Sequence, residues 1–587
     1  MRKTLSILLC VIMLLSACTF AIPANAAEGT AINNAEEFMA MVSTAMDATE
    51  PTAKYYLAAD ITLAATYAEP FYGILDGNGK TLTVTNPVFA DFSGEVKNLT
   101  IKGEIYYQDQ DAAAFALTST LGYKAENCTN NANVTVMGNA KHVGGFSARI
   151  VNNNGNEAAC QFINCVNNGA IYIDSTANEK MRAGGFAGII DKVTIVNSTN
   201  NGSVYSKGNI CIAAGFVSRV GLNAGMNVAE AFNCVNNGKI LVEDTCKDKD
   251  GNEHMGTAGA DAGGIYGHIG CKNNAGWYKI WGCTNNGDID APYRVGGMVG
   301  YVYASGSTAF VDIQFCQQNS ALTFGRTADI KEGTVPYDYC GPFIAYTNSP
   351  FTTIKYCIDT GTITKREGAI SANDGLTFVG LSSSDGSQYD ITSVYVFNKE
   401  QYKWKTYASA AENIANCRPI EEAEGIFVTT LEEIKSGKVA YLINEAALND
   451  EYESAAGFDS DEYVWAGFNN GDMFCFGQKI GTDNAPTANA TGENWIVLNG
   501  DKYANGEKGV EVTTKAPETT KAPEETKAPE ETQAPEETQA PEATNAPEAT
   551  NAPEETEPAK SGCGSFVAGG VAILAILGTA LVIKKRD

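Results

Sequence analysis

The sequence predicts an all-β protein whose body is a right-handed parallel β-helix, a solenoid in which each turn of the chain stacks on the turn before. A short unit recurs along the body, and the segments between its copies are rich in β-branched and aromatic residues. Asn and Gly recur at the same places in each copy, where a chain of short strands has to turn. A single unit of this kind cannot bury its apolar face, whereas a stack of units encloses one continuous core.

The recurring unit has the pattern Asn-Cys-x-Asn-Asn-Gly. Its copies are Asn127–Asn131, Asn164–Gly169, Asn197–Gly202, Asn233–Gly238 and Gly282–Gly287, with weaker copies at Cys316 and Cys357. The Cys positions are spaced by 37, 33, 36, 49, 33 and 41 residues, so the unit is constant and the connecting loops vary in length. A second element, usually Gly-Gly before a large apolar residue, alternates with it at Gly144–Phe146, Gly184–Phe186, Ala214–Phe216, Gly263–Ile265 and Gly296–Met298.

One unit, Cys165–Asn197, contains three strand-like pieces at 170–173, 185–190 and 193–196, which predicts a triangular turn. Adjacent turns of a parallel sheet lie about 4.8 Å apart, so equivalent side chains stack in columns. Asn and Gly tolerate a left-handed backbone at the corners, and stacked Asn amides can hydrogen-bond along a column. The Gly-Gly pairs let the backbone bend where a Cβ would collide.

The first 26 residues have the layout of a secretory signal peptide: a basic start, an apolar run and a small-residue cleavage site. A segment resembling a lipobox ends at Cys18, so lipidation of Cys18 stands as an alternative to cleavage after Ala26. The sequence therefore predicts export.

Residues 27–57 are predicted to form an N-terminal helical cap, in which Asn34 caps a helix from Ala35 to Met46. The β-helix repeats are predicted to occupy residues 58–400. Near their start, Asp76–Gly79 could be taken for a calcium loop, but it lacks the ligand series of an EF-hand and a sharp turn between strands is the better interpretation.

Four segments complete the predicted order: a small α+β capping region at 401–505, a stalk at 506–560, a transmembrane helix at 561–583 and a cytoplasmic tail at 584–587. The stalk repeats Ala-Pro-Glu every six residues, which predicts an extended, disordered chain. The apolar run after it is long enough to cross a bilayer, and the basic tail favours the cytoplasmic side. We expect a single-pass protein whose body lies outside the cell.

The composition limits the partners. Lys and Arg number 41 against 69 Asp and Glu, giving a formal charge of −28, and no basic stripe is present, so nucleic acid is not expected as a partner. There is no CxxC motif and only three His, which argues against zinc, and we predict no metal and no cofactor.

The exported body contains 13 of the 16 cysteines, an odd number that cannot all pair. Ser198 takes the Cys position in one copy of the repeat, which indicates a slot for a small buried side chain. We therefore predict a column of stacked, inert thiols, with scattered disulfides as the alternative in an oxidising compartment.

Several motifs resemble known families. Leu75–Thr81 looks like the first coils of right-handed parallel β-helix proteins of the pectate-lyase-like superfamily, and the alternating repeat motifs resemble the GLUG-type repeats of bacterial surface proteins. Leu431–Asn444 and Gly477–Asp483 resemble a segment that closes such arrays in gut Firmicutes and Bacteroidetes. The resemblance spans roughly residues 30 to 505. It implies a β-helix of adhesins or surface-layer components and is weak for any activity.

No catalytic site is predicted. The nearest candidate is Asp288 and Asp290 with Arg294, where a spacing of two would place both carboxylates on one strand face. Solvated turn residues are the simpler interpretation, and nothing resembles a Gly-x-Ser-x-Gly nucleophile.

The sequence therefore predicts a non-enzymatic, adhesin-like surface protein that presents a rigid rod to a glycan or to a host or cell-surface ligand. Exposed aromatic residues such as Tyr172 and Tyr266 are the expected contacts. A polysaccharide lyase or glycoside hydrolase on the same β-helix, and a structural surface-layer component, remain the alternatives.

Overall fold

A computed structural model describes most of the body of the chain. The described residues are 28–43, 53–150, 160–177, 180–208, 210–221, 227–244, 260–272, 276–305, 309–327, 338–347, 349, 351–369, 379–381, 389–397, 403–405, 417–419, 425–430, 433–434, 439, 442–443, 446, 496–498, 501–504 and 507–509. The predicted signal peptide, stalk, transmembrane helix and tail lie outside these residues apart from 507–509. Within the described residues, no helix is long and apolar enough to cross a membrane.

The strands of the body pair in parallel from one turn of the chain to the next, which confirms the predicted parallel solenoid. One sheet has twelve strands: Thr30–Ile32, Lys54–Leu57, Ile74–Asp76, Glu95–Lys97, Lys124–Glu126, Cys160–Ile163, Lys192–Val196, Asn227–Phe232, Gly276–Trp281, Ala309–Gln314, Phe351–Lys355 and Tyr389–Thr392. A second has nine: Phe89–Asp91, Ala116–Ser119, Ser147–Ile150, Ala187–Ile190, Val217–Val220, Tyr266–Lys272, Val299–Ser305, Ile344–Thr347 and Val379–Leu381.

A third sheet has seven strands: Ala112–Ala113, His142–Gly144, Met181–Gly184, Cys211–Ala214, Asp261–Gly263, Arg294–Gly296 and Tyr339–Gly341. The fourth set has eighteen: Ile61–Leu63, Thr81–Val84, Thr100–Gln108, Thr129–Gly138, Val166–Asn167, Ile171–Ser175, Thr199–Asn200, Val204–Gly208, Val235–Asn236, Ile240–Asp244, Thr284–Asn285, Ile289–Asp290, Gln317–Gln318, Ala321–Phe324, Ile358–Asp359, Thr362–Lys365, Val394–Val396 and Ile426–Val428. Two antiparallel groups follow, Lys403–Lys405 with Cys417–Pro419, and Ile496–Leu498 with Asp501–Ala504 and Glu507–Gly509.

Each turn therefore visits four strand groups, and the predicted count of three strands was wrong. In the unit Cys165–Asn197, sequence analysis missed two strands, Val166–Asn167 directly after the Cys and Met181–Gly184, which leads into the Gly-Gly bend. Ala187–Ile190 follows the bend in a different sheet. The bend itself leaves two consecutive side chains inside, because Phe186 and Ala187 are both buried. A strict alternation of inward and outward residues does not hold there.

The Asn-Cys-x-Asn-Asn-Gly unit forms the corner that leaves the twelve-stranded sheet. Its first Asn adopts the left-handed conformation, as at Asn164 with φ 53° and Asn197 with φ 49°. The Cys that follows is buried, and the thiol of Cys165 donates to the carbonyl of Ile163 at 3.4 Å. Ser198 makes the same bond to Val196 at 2.9 Å, so the column does accept a small donor in place of Cys.

The two central Asn residues build two ladders of amides, as predicted. The buried ladder runs from turn to turn with each Nδ2 donating to the next Oδ1, as Asn167 does to Asn200 at 2.8 Å and Asn200 to Asn236 at 2.8 Å. The exposed ladder runs beside it in the opposite sense, since Asn201 donates back to Asn168 at 2.8 Å. These ladders satisfy amide groups that would otherwise be costly to bury.

Helix α1 spans Ala35–Met39. Asn34 is the N-cap residue of this helix, as predicted. The helix is shorter than predicted and ends at Met39 instead of Met46. Strands at Thr30–Ile32 and Lys54–Leu57 flank it and join the twelve-stranded sheet, so part of the predicted cap belongs to the solenoid. Phe38 is fully buried and contacts Phe89 at a ring distance of 5.7 Å, which anchors the helix to the core.

Some of the described apolar residues of the predicted C-terminal capping region pack against the side of the turns. Those that do so and are buried are Ile434, Val439 and Ile443, whereas Ile426, in a strand that pairs with Val394–Val396, belongs to the core inside the solenoid. The first three share one apolar cluster with residues from successive turns: Val196, Phe232, Trp281, Phe315, Tyr356, Ile358 and Tyr395. This cluster, the flank cluster, lies apart from the core inside the solenoid.

Candidate binding surface

The outward side chains of the strands stand in columns, because the register between turns is continuous. One column of the eighteen-strand set, here the tyrosine column, contains Tyr106, Thr135, Tyr172 and Tyr205 on four successive turns. It continues through Leu241, Asp290 and Thr323. Tyr106 is 63% exposed and Tyr172 and Tyr205 are half-buried, so aromatic rings face solvent here.

Tyr172 and Tyr205 stack face to face, with ring centroids 4.6 Å apart and planes 9° from parallel. Desolvation by partial burial raises the pKa of Tyr172 further above physiological pH, so its hydroxyl stays protonated there. Beside this pair, Lys207 and Asp174 form an ion pair at 3.3 Å. The column thus combines ring surface with polar groups on its edge.

A second aromatic column lies on the twelve-stranded sheet and was not predicted. Trp277 stacks on Phe310 at 4.2 Å, and Phe310 stacks on Phe351 at 4.9 Å. Trp277 is 44% exposed and the other two are half-buried. The three residues lie in register on successive turns, and only that register relates them, because their sequence positions show no common motif.

Tyr266 is fully buried, so its predicted role as an exposed ligand contact was wrong. It follows the Gly-Gly-Ile segment at the bend, where Ile265 and Tyr266 both point into the core. Burial raises the pKa of Tyr266 well above its usual value. Tyr172 remains exposed enough to meet a ligand.

The structure separates the predicted group of Asp288, Asp290 and Arg294. Asp288 is exposed and accepts from the backbone N–H of Ala321 at 3.0 Å, while Asp290 forms an ion pair with Arg366, whose Nε lies 3.0 Å from Oδ1. Buried Ile289 stands between them, so the two carboxylates do share a face. Arg294 lies beyond a corner, on another sheet, and is buried.

Arg294 belongs to a buried polar cluster that sequence analysis missed. Its Nε lies 2.7 Å from Asp261 Oδ1, and the other oxygen of Asp261 lies 3.0 Å from Nδ1 of His268. The guanidinium also lies 3.6 Å from the ring centroid of Tyr301. Register alone brings these residues together, since Asp261 pairs with Arg294 and His268 with Tyr301 on neighbouring turns.

The imidazole of His268 in this cluster is neutral at physiological pH. Burial is the largest cause that lowers the pKa of His268 to about 3, and it outweighs the hydrogen bond with Asp261. The Nε2 atom of His268 makes no hydrogen bond within the described residues, so no hydroxyl or thiol among them is positioned for activation by this imidazole. A second His–Asp pair, His142 with Asp111 at 2.6 Å, lies on earlier turns.

No protein-family model matches the chain, and no curated protein matches its sequence. Among solved structures, a putative immunoglobulin A1 protease from Bacteroides ovatus matches with 14% sequence identity and a TM-score of 0.27. That match covers 77% of this chain and 93% of the other. At this TM-score it carries no argument about function.

Proposed function

We propose that the chain is a non-enzymatic, adhesin-like protein of the cell surface that holds a right-handed β-helix rod outside the cell and binds a glycan or a host-surface ligand. The observation that supports binding is the pair of outward aromatic columns, Tyr106 to Tyr205 and Trp277 to Phe351. Aromatic rings exposed on an otherwise polar surface are typical of interaction sites. A rod of repeating turns holds them at fixed spacings, which lowers the ordering cost of binding.

The proposal includes the anchoring predicted from the sequence: export by residues 1–26, a stalk at 506–560 and a membrane helix at 561–583, with GLUG-type repeats in the body. A chain that ends after Lys560 should be released into the medium if the helix is the anchor. Retention of the shortened chain in the membrane fraction would favour lipidation of Cys18, which mass spectrometry of the mature N-terminus detects directly.

Binding is tested with the full-length chain, purified in detergent, on arrays of host, plant and bacterial glycans and on intact cells. Replacing Trp277 with Ser removes one ring without changing a buried residue, and Thr353→Ser on the same sheet is a matched control. Weaker binding by the first variant together with unchanged binding by the second supports the proposal. A chain that binds no glycan, mucin or cell surface contradicts it.

The polysaccharide-degrading alternative requires two carboxylates that face a groove. Asp288 and Asp290 share a face, but Asp290 is paired with Arg366 and Arg294 lies on another sheet. We therefore propose no turnover of pectin, alginate or host glycans. Release of reducing ends by the wild-type chain, abolished by Asp288→Asn with Asp290→Asn, would make the enzyme the better account.

A further inference from the structure

We propose that the ring of an uncharged pyranose inserts between Tyr106 and Tyr172, above Thr135, an inference that rests on the proposed binding function and names its ligand class. Thr135 is the one small residue between tyrosines on the turns before and after it. The gap above it, the tyrosine slot, is bounded by two aromatic side chains two turns apart.

The dimensions of the slot suit one ring. Neighbouring turns are about 4.8 Å apart, so residues two turns apart in one column are separated by about 9.6 Å. A ring in van der Waals contact on both faces needs about 7–8 Å between its neighbours. The tyrosine side chains can tilt through the remaining distance. Tyr106 is 63% exposed, and within the described residues its hydroxyl makes one hydrogen bond, a long one of 3.5 Å to Gln108, which leaves the ring room to move.

The tyrosine slot and the column of Trp277, Phe310 and Phe351 leave different ring surfaces open to a ligand. Trp277, Phe310 and Phe351 stack without a gap, so Phe310 has both faces covered. Trp277 keeps one open face, toward Val228 on the preceding turn, but Lys192 and not a second ring lies beyond Val228. Tyr172 is covered on one face by Tyr205, and its other face looks toward Thr135. Sugars stack on aromatic faces through their C–H groups, so the slot is the better site for a pyranose.

The rim of the slot provides hydrogen-bond partners for hydroxyl groups and determines the charge of the ligand. Glu104 and Asn133, joined at 2.8 Å, stand on one side, and Gln108 and Asp174 stand on the other. Asp174 is paired with Lys207 at 3.3 Å, so Glu104 is the rim carboxylate without an ionic partner among the described residues, and on a chain of formal charge −28 it disfavours uronates and sialic acids. An uncharged sugar that donates hydroxyl hydrogen bonds to Glu104 and Asp174 is the complementary ligand.

The test fills the slot instead of removing its walls. In Thr135→Tyr the new ring should stack on Tyr172 as Tyr205 does and close the gap, and Thr323→Tyr in the same column is the matched control. The full-length chain is titrated with cellotetraose, mannotetraose and tetra-N-acetylchitotetraose, and with tetragalacturonate as the anionic counterpart. Melting temperatures of both variants report whether folding is preserved.

We expect binding of at least one neutral tetrasaccharide, weakened about tenfold or more by Thr135→Tyr and by Tyr172→Ala, and unchanged by Thr323→Tyr. Neutral-sugar binding that Thr135→Tyr leaves unchanged overturns the slot but leaves the proposed binding function standing. A chain that prefers tetragalacturonate, or that binds cells or mucin but none of the neutral tetrasaccharides, overturns the slot in the same way. Absence of binding to every surface and glycan removes both.

Discussion

Gly185 packs directly against Asn200 of the buried amide ladder: a Cβ at Gly185 would lie 2.3 Å from the Asn200 Oδ1. The same contact recurs on neighbouring turns between Gly145 and Asn167 and between Gly215 and Asn236, at 2.6 and 2.4 Å. The two motifs that alternate in the sequence therefore meet across the core. The Gly-Gly bend has no side chain because the amide ladder occupies that space.

Gly185→Ala should destabilise the fold by about 3 kcal/mol, because the new methyl group would collide with the Gly215 carbonyl oxygen and with the ladder. Ala214→Gly is the control, since Ala already occupies the first Gly position on that turn, and it should cost only about 1–2 kcal/mol through backbone entropy and the loss of one buried methyl group. Urea unfolding of both variants measures the difference. Equal costs would show that the contact between bend and ladder does not limit packing.

Asn200→Ala should cost about 2–4 kcal/mol, because it leaves the Asn236 Oδ1, the Asn167 Nδ2 and the Gly202 carbonyl without their partner in a buried position. Asn201→Ala removes two hydrogen bonds of similar length between side-chain amides in the exposed ladder. Water can replace these hydrogen bonds, so the substitution should cost below about 1 kcal/mol. Thermal unfolding of the two variants compares them. The prediction fails if the exposed position proves as costly as the buried one.

The thiols of the body should resist labelling until the chain unfolds. The nine cysteines whose side chains the structure describes are free and buried, and burial raises the pKa of Cys160 to about 12 and those of Cys283 and Cys316 well above the usual value. Thiolates, the reactive form, are therefore scarce at these three positions at pH 8. The pKa of Cys128 is lowered instead, mainly by its hydrogen bond with Cys165, so the protection of Cys128 depends on burial alone. Ser198→Cys should add one equally protected thiol, counted by labelling before and after denaturation. Most thiols reacting in the native chain, or found in disulfides, would contradict the column.

A fall in pH should destabilise the folded body of the chain through His268. Its pKa is about 3 in the fold, mainly because of burial, against roughly 6.5 in an unfolded chain. The unfolded state binds the extra proton first as pH falls, so stability is lost between about pH 6.5 and 3, by on the order of 5 kcal/mol. His268→Gln cannot take up that proton and should show a flatter dependence of stability on pH. Parallel curves for wild type and variant would assign the acid sensitivity to other groups.

The flank cluster should support several turns at once. Val439 is buried among apolar residues that include Phe232 and Trp281, so Val439→Asp places a charge in an apolar setting without touching the core inside the solenoid. We expect a loss of several kcal/mol in stability. Val42→Asp, at a residue that is 68% exposed, is the control and should be nearly neutral. A silent Val439→Asp would show that this segment does not stabilise the turns.

The sequence predicts what depends on a local motif. The position of Asn197 in the motif predicts its left-handed backbone at the corner, and that of Asn200 predicts its place in the amide ladder. Short polar side chains that recur at a fixed spacing favour these two arrangements. Register across turns is not visible in the same way, since loops of variable length separate the residues it joins. The contacts among Asp261, His268 and Arg294 were therefore not predictable from the sequence.

Two misassigned residues have specific physical causes. Tyr266 was named as an exposed aromatic contact, but Ile265 and Tyr266 are both buried at the bend, where the alternation of inward and outward side chains breaks down. Arg294 is only four positions from Asp290, yet a corner between the two places them on different sheets.

Phe315 and Tyr356 adopt the left-handed backbone at the corner position that Asn occupies on other turns, and their packing in the flank cluster offsets the strain of that conformation.

The most direct test of the account is a retention assay in which the full-length chain is passed over immobilised mucin and neutral polysaccharides while reducing ends are measured in the same sample. We predict retention of the wild-type chain, release of no reducing ends, and loss of retention when Tyr172→Ala is combined with Trp277→Ser. Cleavage of the polymers, or retention that is indifferent to both aromatic columns, would contradict the claim that this rod is a binding protein.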